Sequence, residues 1–341
     1  SRPPGRSTNK ANTISTGQGA TRPEFDATAA ITNTVEQRHD TLARRPLPWA
    51  GQPDAPTRAH GLIAASVYTA IRSINGLLRE GTDSVFDLLA AGEPGRGQSD
   101  GEIRTVAALN GAFGDHLEAS GNALATPMSL IYSGQALTFN PEELASSIPQ
   151  ASPHLVVLVH GLSLSELSWS RSGGPSIGTL LQEEQGFTPV YLRYNTGRHI
   201  STNGREFNTL LQQLCDAWPV PVESLSVIGH SMGGLVTRSA CWYAQQEGTS
   251  WLQRLQRVVC LGTPHHGSPV EKAGHAFDIA MRKIPYLAPL ALGRHRSDGI
   301  KDLHHGDLLD EDWQGHDPAR RRQDRRTAVP LLPEVDYYFA A

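Results

Sequence analysis

Apolar residues in the second half of the chain form short continuous runs, and longer stretches of helical periodicity separate these runs. The runs are rich in Val, Leu and Ile and predict strands buried on both faces at 155–159, 189–194, 225–229 and 256–261. The amphipathic stretches between them predict helices near 175–185, at 203–217 and at 232–247. This alternation predicts a mostly parallel, doubly wound α/β sheet within residues 151–341.

The first half of the chain has a different composition. Residues 1–56 are rich in Ser, Thr, Pro, Gly, Asn and Arg, which predicts a flexible N-terminal arm. Residues 57–150 predict helices over 61–91 and 103–121, followed by a hairpin over 128–139 at an antiparallel edge of the sheet. The apolar faces of these helices have two readings: they pack on the core or on a partner, or they contact lipid.

A sharp turn is predicted where the strand at 225–229 runs into the next helix. The sequence there is Gly-His-Ser-Met-Gly, with Gly229 and Gly233 on either side of Ser231. A serine in Gly-x-Ser-x-Gly, between a strand and a helix, is exposed by the turn as a nucleophile, and the glycines leave room for neighbouring backbone. Ser231 is therefore the predicted catalytic nucleophile, and the alternative is an ordinary strand-to-helix turn.

A second turn follows the strand at 155–159, at His160-Gly161-Leu162. A free backbone N–H at the carboxyl end of such a strand is suited to an oxyanion hole. The predicted donors are the N–H groups of Leu162 and of Met232, which follows the nucleophile. His160 and His230 lie beside glycines at strand ends, and we interpret both as packing or loop-orienting residues rather than as general bases.

Parallel strands joined by right-handed crossovers present their carboxyl ends at one edge of the sheet. The predicted active site therefore lies at that edge, where four residues converge: Leu162, Asn195, Ser231 and Thr263. Asn195 and Gly197 are predicted to shape the rim of this site or to hydrogen-bond a substrate. The adjacent His265 and His266 diverge on an extended backbone, so we interpret them as loop residues rather than as metal ligands.

Three motifs, in this order and spacing, resemble the lipase/esterase branch of the α/β-hydrolase superfamily. They are His-Gly-Leu, Gly-His-Ser-Met-Gly-Gly and Leu-Gly-Thr-Pro-His-His-Gly-Ser-Pro, and they begin at residues 160, 229 and 261. The chain is most similar to bacterial GPI inositol-deacylase-like and triacylglycerol-lipase-like hydrolases, also through the segments at 191–197 and 296–300. The resemblance covers roughly residues 60–341. It implies an α/β-hydrolase fold with N-terminal helices and a cap, and a serine hydrolase without a cofactor.

The resemblance also places a cap or lid insertion at about 270–330. Residues 276–292 are apolar. They would form the underside of a lid that selects a hydrophobic acyl chain, or they would form short helices that pack on the core. The acidic residues at 307–312 are predicted to form a solvated face. The arginine-rich run at 320–326 is predicted to contact anionic lipid headgroups or to be an exposed loop.

Residues 335–341 predict a further buried strand. The resemblance implies that the acid and the histidine of the catalytic triad follow this strand. Neither motif occurs before Ala341, so we expect the triad acid and histidine beyond Ala341, and a C-terminal strand and helix of the fold to be missing. Substitutes within the chain rest on residue type alone. They are His304 or His305 as the base, with Asp302 or Asp307 as the acid.

Composition narrows the partners. The chain of 341 residues has 38% hydrophobic residues, enough for a large core. Its formal net charge is −4, so it lacks the excess of basic residues that is typical of nucleic-acid-binding proteins. Its three cysteines lack regular spacing, so neither a disulfide framework nor a metal site is predicted. No stretch approaches the ~20 apolar residues of a membrane span. We expect a cytoplasmic or membrane-peripheral protein, and the first residue, Ser1, leaves room for a removed leader.

These observations lead to one principal hypothesis. Ser231 forms an acyl-enzyme with a small-molecule or lipid carboxylic ester, without metal or cofactor. One alternative is an acyltransferase or thioesterase on the same site. The other is a noncatalytic scaffold or binding protein with peripheral membrane contact through residues 61–140.

Overall fold

The computed structural model describes residues 99–170, 175–267, 297–315 and 326–340. The arm predicted at 1–56, the helices predicted over 61–91, and much of the cap predicted at about 270–330 lie outside these residues. Most of the arginine-rich run also lies outside them.

The described residues form seven strands and seven α-helices. The strands are β1 (Ser129–Tyr132), β2 (Gln135–Ala136), β3 (His154–Val159), β4 (Thr188–Arg193), β5 (Ser224–His230), β6 (Leu255–Leu261) and β7 (Asp336–Ala340). The helices are α1 (Asp100–Ala119), α2 (Pro141–Ser147), α3 (Ile177–Gln185), α4 (Ile200–Ala217), α5 (Met232–Glu247), α6 (Asp298–His305) and α7 (Asp310–Trp313). Two short 3₁₀ helices occur at Glu166–Trp169 and Ser250–Arg254.

One seven-stranded sheet organises the described residues, in the order β2-β1-β4-β3-β5-β6-β7. The five strands β4, β3, β5, β6 and β7 run parallel to one another, and β1 pairs antiparallel with both β2 and β4. This arrangement confirms the mostly parallel sheet of an α/β-hydrolase fold. In the register, Val159 of β3 lies opposite Leu192 and Gly229, and Gly229 lies opposite Cys260. The carboxyl ends of four strands are therefore level with one another.

The apolar runs are buried on both faces of the sheet, as their composition predicts. Leu155 and Val157 of β3 belong to the larger core cluster on one face, which includes α4 and α5. Val156 and Leu158 belong to a smaller cluster on the opposite face, where Trp169 of the first 3₁₀ helix covers them. Alternate residues of one strand thus hold helical layers on both sides.

Several helices begin at residues whose side chains accept backbone N–H groups. Ser99 accepts from the N–H of Glu102, whose carboxylate accepts the Ser99 N–H in return, so α1 begins with a capping box. Asn140 accepts from the N–H groups of Glu142 and Glu143 at the start of α2. Within the described ranges, no helix is both long and apolar enough to cross a membrane.

The strands at the two sides of the sheet differ from the sequence predictions. The hairpin prediction extends its second strand to Phe139, but β2 ends at Ala136, and three residues separate it from Asn140, which caps α2. The strand predicted at 335–341 as buried is exposed: Tyr338 and Phe339 are each 52% exposed. Among the described residues β7 has β6 as its one neighbour, so its other side is uncovered.

The prediction of a solvated acidic face at 307–312 is wrong for two of its carboxylates. Asp307 and Asp312 are 3% and 5% exposed. Asp312 accepts hydrogen bonds from the N–H groups of Leu308 and Leu309, and its other oxygen accepts from Thr327. These backbone donors replace water and allow the carboxylate to be buried.

Candidate active site

Ser231 lies at the junction of β5 and α5 in a strained backbone conformation. Its φ is 52° and its ψ is −119°, a combination that side-chain-bearing residues rarely adopt. A conformation of this kind costs about 1–3 kcal/mol and persists only where the surroundings fix it. Here the Ser231 N–H donates to the carbonyl of Leu261 at 2.8 Å, and the Ser231 carbonyl accepts from the N–H of Gly234 at 3.1 Å. The neighbouring strand and the first turn of the helix therefore hold the elbow.

The glycines of the predicted motif stand where any side chain would collide with backbone. A Cβ added to Gly229 would lie 2.5 Å from the nitrogen of Gly234, within the elbow itself. A Cβ added to Gly233 would lie 2.3 Å from the carbonyl oxygen of Val159 at the end of β3. The first turn of α5 thus packs directly on the strand that leads into the predicted oxyanion loop.

The turn at His160-Gly161-Leu162 lies against Ser231. A Cβ added to Gly161 would lie 3.2 Å from the Cβ of Ser231 and 3.1 Å from Nδ1 of His230. The N–H groups of Leu162 and Met232 donate to no acceptor among the described residues, and Met232 opens α5. The arrangement therefore brings together Ser231 and two uncommitted backbone donors, as an oxyanion site requires.

His160 is fully buried beneath this turn. Its Nδ1 lies 3.0 Å from the carbonyl oxygen of Gly161, its ring stacks on Tyr194 with centroids 4.5 Å apart, and the Tyr194 hydroxyl donates to its carbonyl at 2.8 Å. Burial lowers the pKa of His160 to about 4, so the ring is neutral near pH 7. These contacts suit a residue that orients the turn.

His230 precedes Ser231 in the sequence and is half-buried. Its ring meets Trp169 edge to face, with centroids 6.4 Å apart. Burial lowers its pKa, so this imidazole also favours the neutral form. Among the described residues, no hydrogen bond joins the Ser231 hydroxyl to His230, to His160 or to any other histidine.

Asp302, one of the two substitute acids proposed from residue type, hydrogen-bonds residues other than His304 and His305. The Asp302 carboxylate is 1% exposed and lies 3.0 Å from Nδ1 of His199, and it also accepts the Ile200 N–H at 2.7 Å. The rings of His304 and His305 contact each other, with centroids 4.7 Å apart. Asp302 therefore hydrogen-bonds residues at the start of α4 rather than His304 or His305, which are close to it in sequence.

The loop after β6 carries Thr263, His265 and His266. A Cβ added to Gly234 would lie 2.1 Å from Oγ1 of Thr263, so this threonine packs on the elbow. His265 lies 3.3 Å from a guanidinium nitrogen of Arg238, and burial lowers the pKa of His265 to about 4. Within the described ranges, no group of three His, Cys, Asp or Glu side chains is placed to hold a metal ion.

Ser163 is a buried polar residue of this site that carried no signal in the sequence, and Asn195 lies deeper than its predicted place at the rim. Ser163 has a φ of 58°, and its N–H donates to Oγ1 of Thr196 at 3.1 Å. Asn195, predicted at the rim, is 1% exposed and instead donates from Nδ2 to the carbonyl of Gly114. The residues join α1 to two loops of the site through contacts that are remote in sequence.

Comparisons with known proteins find one family model and several solved structures that are similar to parts of the chain. Residues 152–284 match the model of the PGAP1-like alpha/beta domain. No curated protein matches the chain. Among solved structures, the Bacillus licheniformis lipase BlEst2 in mature form is 22% identical, with a TM-score of 0.34, over 46% of this chain and 57% of that chain.

Two further structures are more distant. A lipase-esterase related protein from Clostridium acetobutylicum ATCC 824 is 14% identical, with a TM-score of 0.29, over 38% of this chain and 50% of that one. An esterase B from Lactobacillus rhamnosis, solved with a tributyrin phosphonate, is 13% identical, with a TM-score of 0.26, over 55% and 59% of the two chains. The chain thus spans between half and three-fifths of these structures.

The sheet order, the elbow and the family match agree with one another. Residues 152–284 are similar to the PGAP1-like alpha/beta domain, and the mostly parallel sheet with its helical layers is that of an α/β-hydrolase fold.

Proposed function

We propose that the protein is a serine hydrolase that cleaves carboxylic esters through an acyl-enzyme on Ser231. The observation that carries the proposal is the backbone of Ser231, a non-glycine residue with a φ of 52° at the end of a central strand. Strain of this kind is retained where exposure of the hydroxyl serves chemistry. The neighbouring turn at Gly161 supports the same reading, because it brings a second backbone donor to the nucleophile.

The first half of the reaction forms the acyl-enzyme. The Ser231 Oγ attacks the ester carbonyl carbon while its proton passes to a general base, and the carbonyl oxygen becomes an alkoxide. The N–H groups of Leu162 and Met232 stabilise that alkoxide. The tetrahedral intermediate then collapses, the ester C–O bond breaks, and the leaving alcohol takes the proton from the base.

The second half regenerates the enzyme. A water molecule attacks the acyl carbon, the base accepts a proton from the water and returns it to Ser231 Oγ, and the carboxylic acid leaves. We place the base and its orienting acid outside the described residues, because no described histidine hydrogen-bonds the Ser231 hydroxyl. If water is replaced by another acceptor, the same acyl-enzyme supports acyl transfer, and a thioester could supply the acyl group.

Ester turnover tests the proposal. The protein and two variants are assayed with p-nitrophenyl esters from acetate to laurate. Ser231→Ala removes the nucleophile, and Ser226→Ala is the matched control, since Ser226 lies in the same strand, is 6% exposed, and its hydroxyl has no hydrogen-bond partner among the described residues.

We expect Ser231→Ala to abolish serine-dependent turnover, because the loss of a catalytic serine lowers kcat by up to about 10⁶-fold in a complete triad. Ser226→Ala should retain the rate of the unmodified protein. Equal rates for the protein and for Ser231→Ala would contradict the proposal, as would a folded protein that hydrolyses none of the esters.

A further inference from the structure

The oxyanion loop is held in its working shape by residues that do not touch the substrate. Gly161 to Leu164 form a tight turn, closed by a hydrogen bond from the Leu164 N–H to the Gly161 carbonyl at 3.2 Å. Ser163 occupies the third position of this turn with a φ of 58°, where glycine is normally favoured. A serine there needs a partner that fixes the peptide between Leu162 and Ser163, because that peptide can flip to a turn without positive φ.

Thr196 supplies this partner. Its Oγ1 accepts the Ser163 N–H at 3.1 Å, and both residues are buried, at 1% and 6% exposure. The hydroxyl therefore sets the direction of the central peptide of the turn. Without that contact the turn can relax at Leu162 and Ser163, and the Leu162 N–H belongs to the same four-residue turn.

The turn that contains Thr196 is itself immobilised. The Asn195 side chain accepts the Gly197 N–H at 3.0 Å and donates to the Gly114 carbonyl at 2.8 Å. The Asn203 side chain donates to the Asn195 carbonyl at 2.9 Å, from the first turn of α4. The hydrogen bonds of Asn195 and Asn203 thus fix the turn that contains Thr196 to α1 and to α4.

Helix α1 closes the opposite side of Ser163. A Cβ added to Gly111 would lie 1.9 Å from Oγ of Ser163, so the helix backbone lies directly on this side chain. The buried Ser297 hydroxyl donates to the Gly111 carbonyl at 2.7 Å and fixes the helix in that position. Ser163 is therefore confined between the helix and the Thr196 hydroxyl.

From these contacts we infer that Thr196 is a positioning residue for the oxyanion loop: its hydroxyl keeps the Leu162 N–H aimed at the carbonyl carried by Ser231. The inference rests on the proposed function, because it assigns a role within the same site. Removal of the hydroxyl should reduce the stabilisation of the transition state more than the binding of the substrate, because the Leu162 N–H acts on charge that develops during the reaction.

Three variants test this role. Thr196→Val keeps the shape of the side chain and removes the acceptor, and Thr196→Ser restores the hydroxyl. Thr209→Val makes the same chemical change at an exposed position of α4, where the hydroxyl donates to the Arg205 carbonyl. We expect Thr196→Val to lower kcat for p-nitrophenyl butyrate about 10- to 100-fold, less than the about 10²–10³-fold loss on removing an oxyanion donor itself. KM should change little, and Thr196→Ser and Thr209→Val should stay near the unmodified rate.

Hydrogen–deuterium exchange at the Ser163 amide separates this inference from the proposed function. Thr196→Val should expose that amide to faster exchange whether or not the protein hydrolyses esters. An unchanged kcat in Thr196→Val, or a kcat that Thr196→Ser fails to restore, would overturn the positioning role. If the unmodified protein lacks ester turnover, the proposed function fails, and an unchanged exchange rate at Ser163 would then reject the Thr196 contact as well.

Discussion

Three serines in the described residues adopt positive φ, and their surroundings differ. Ser133 lies in the exposed turn between β1 and β2, where a hairpin requires such a backbone. Ser163 and Ser231 instead lie in two turns at the carboxyl edge of the sheet, and both are buried. Positive φ in these serines is maintained by hydrogen bonds from neighbouring elements. Strain at this edge is thus concentrated around one hydroxyl, that of Ser231.

Gly233 gives a residue-scale prediction about stability. In Gly233→Ala the new methyl group would collide with the carbonyl oxygens of Val159 and His160, 2.3 and 2.7 Å from its position. We expect a loss of about 1–3 kcal/mol in the free energy of unfolding, because backbone must shift to make room. Gly101→Ala is the control, since its Cβ would meet only the Ser99 hydroxyl at 4.0 Å.

Urea unfolding of both variants measures the effect. Gly101→Ala should match or exceed the stability of the unmodified protein, as alanine favours a helix. A Gly233→Ala protein as stable as Gly101→Ala would show that α5 does not pack on β3 as described.

At the scale of elements, the first turn of α4 is tied to α6 by a half-buried histidine. Nδ1 of His199 lies 3.0 Å from Asp302 and Nε2 lies 3.3 Å from Asp298, and its ring stacks on Trp313. Burial lowers the pKa of His199, but the hydrogen bond and charge of Asp302, with the charge of Asp298, outweigh burial and raise it above the ordinary value; Lys301 opposes them. Protonated His199 therefore joins the two helices.

These contacts of His199 predict that the free energy of unfolding depends on pH. Because the folded state raises the pKa of His199, its contribution is complete below the unfolded value of about 6.5 and is lost as pH rises through the folded pKa. The free energy of unfolding should therefore decrease as the pH rises through the folded pKa of His199. In His199→Gln this decrease should be absent. Free energies of unfolding measured from mildly acidic to mildly alkaline pH test the sign; the same fall in both proteins would contradict it.

A second element-scale prediction concerns Asn208, which joins α4 to the 3₁₀ helix after α5. Its Oδ1 accepts the indole N–H of Trp251 at 2.7 Å and the Thr249 hydroxyl at 2.9 Å, and Asn208 is 1% exposed. Asn208→Ala should reduce the free energy of unfolding by about 1–3 kcal/mol, because buried donors lose their acceptor.

Gln212 provides the contrast, one turn further along α4. Its partly exposed side chain accepts the N–H groups of Ser250 and Trp251 at 2.9 and 3.1 Å, and water can replace it as the acceptor in Gln212→Ala. Thermal unfolding should therefore rank Asn208→Ala well below Gln212→Ala. Equal midpoints would mean that burial of the Asn208 amide contributes nothing.

At the scale of the whole molecule, the thiols report on the integrity of the core. The three cysteines are free, and burial raises the pKa of Cys215 and Cys241 to about 12 and that of Cys260 to about 11. At about pH 8 the reactive thiolate is scarce, so a disulfide reagent should modify the native protein slowly. In guanidinium all three should react, and rapid native reaction of Cys241 would contradict its burial.

Local pattern was enough to predict much of the fold. Continuous runs such as 155–159 and 225–229 identify strands because both faces are apolar, and Gly229 and Gly233 identify the elbow because only glycine fits between closely packed backbones. The contact between Thr196 and Ser163 spans 33 positions, and the contact between His199 and Asp302 spans 103. Such pairs depend on how the helices pack, which sequence periodicity does not specify.

The local sequence pattern also does not predict which residues are buried and which are exposed. Asp312 is surrounded by acidic residues in the sequence, yet three backbone N–H groups satisfy its carboxylate in the folded chain. Tyr338 and Phe339 show the opposite case, since their β-forming side chains predict a buried strand and the position of β7 in the sheet leaves them exposed. In both cases the arrangement of elements decides the environment of the residue.

The most direct test of the central claim is covalent capture of the nucleophile. An alkyl phosphonate with a p-nitrophenyl leaving group mimics the tetrahedral intermediate, and mass spectrometry of peptides locates its adduct. We predict one adduct on the peptide that contains Ser231, absent from Ser231→Ala and retained in Ser226→Ala. A native protein that stays unmodified, or an adduct that persists in Ser231→Ala, would contradict the assignment of Ser231 as the nucleophile.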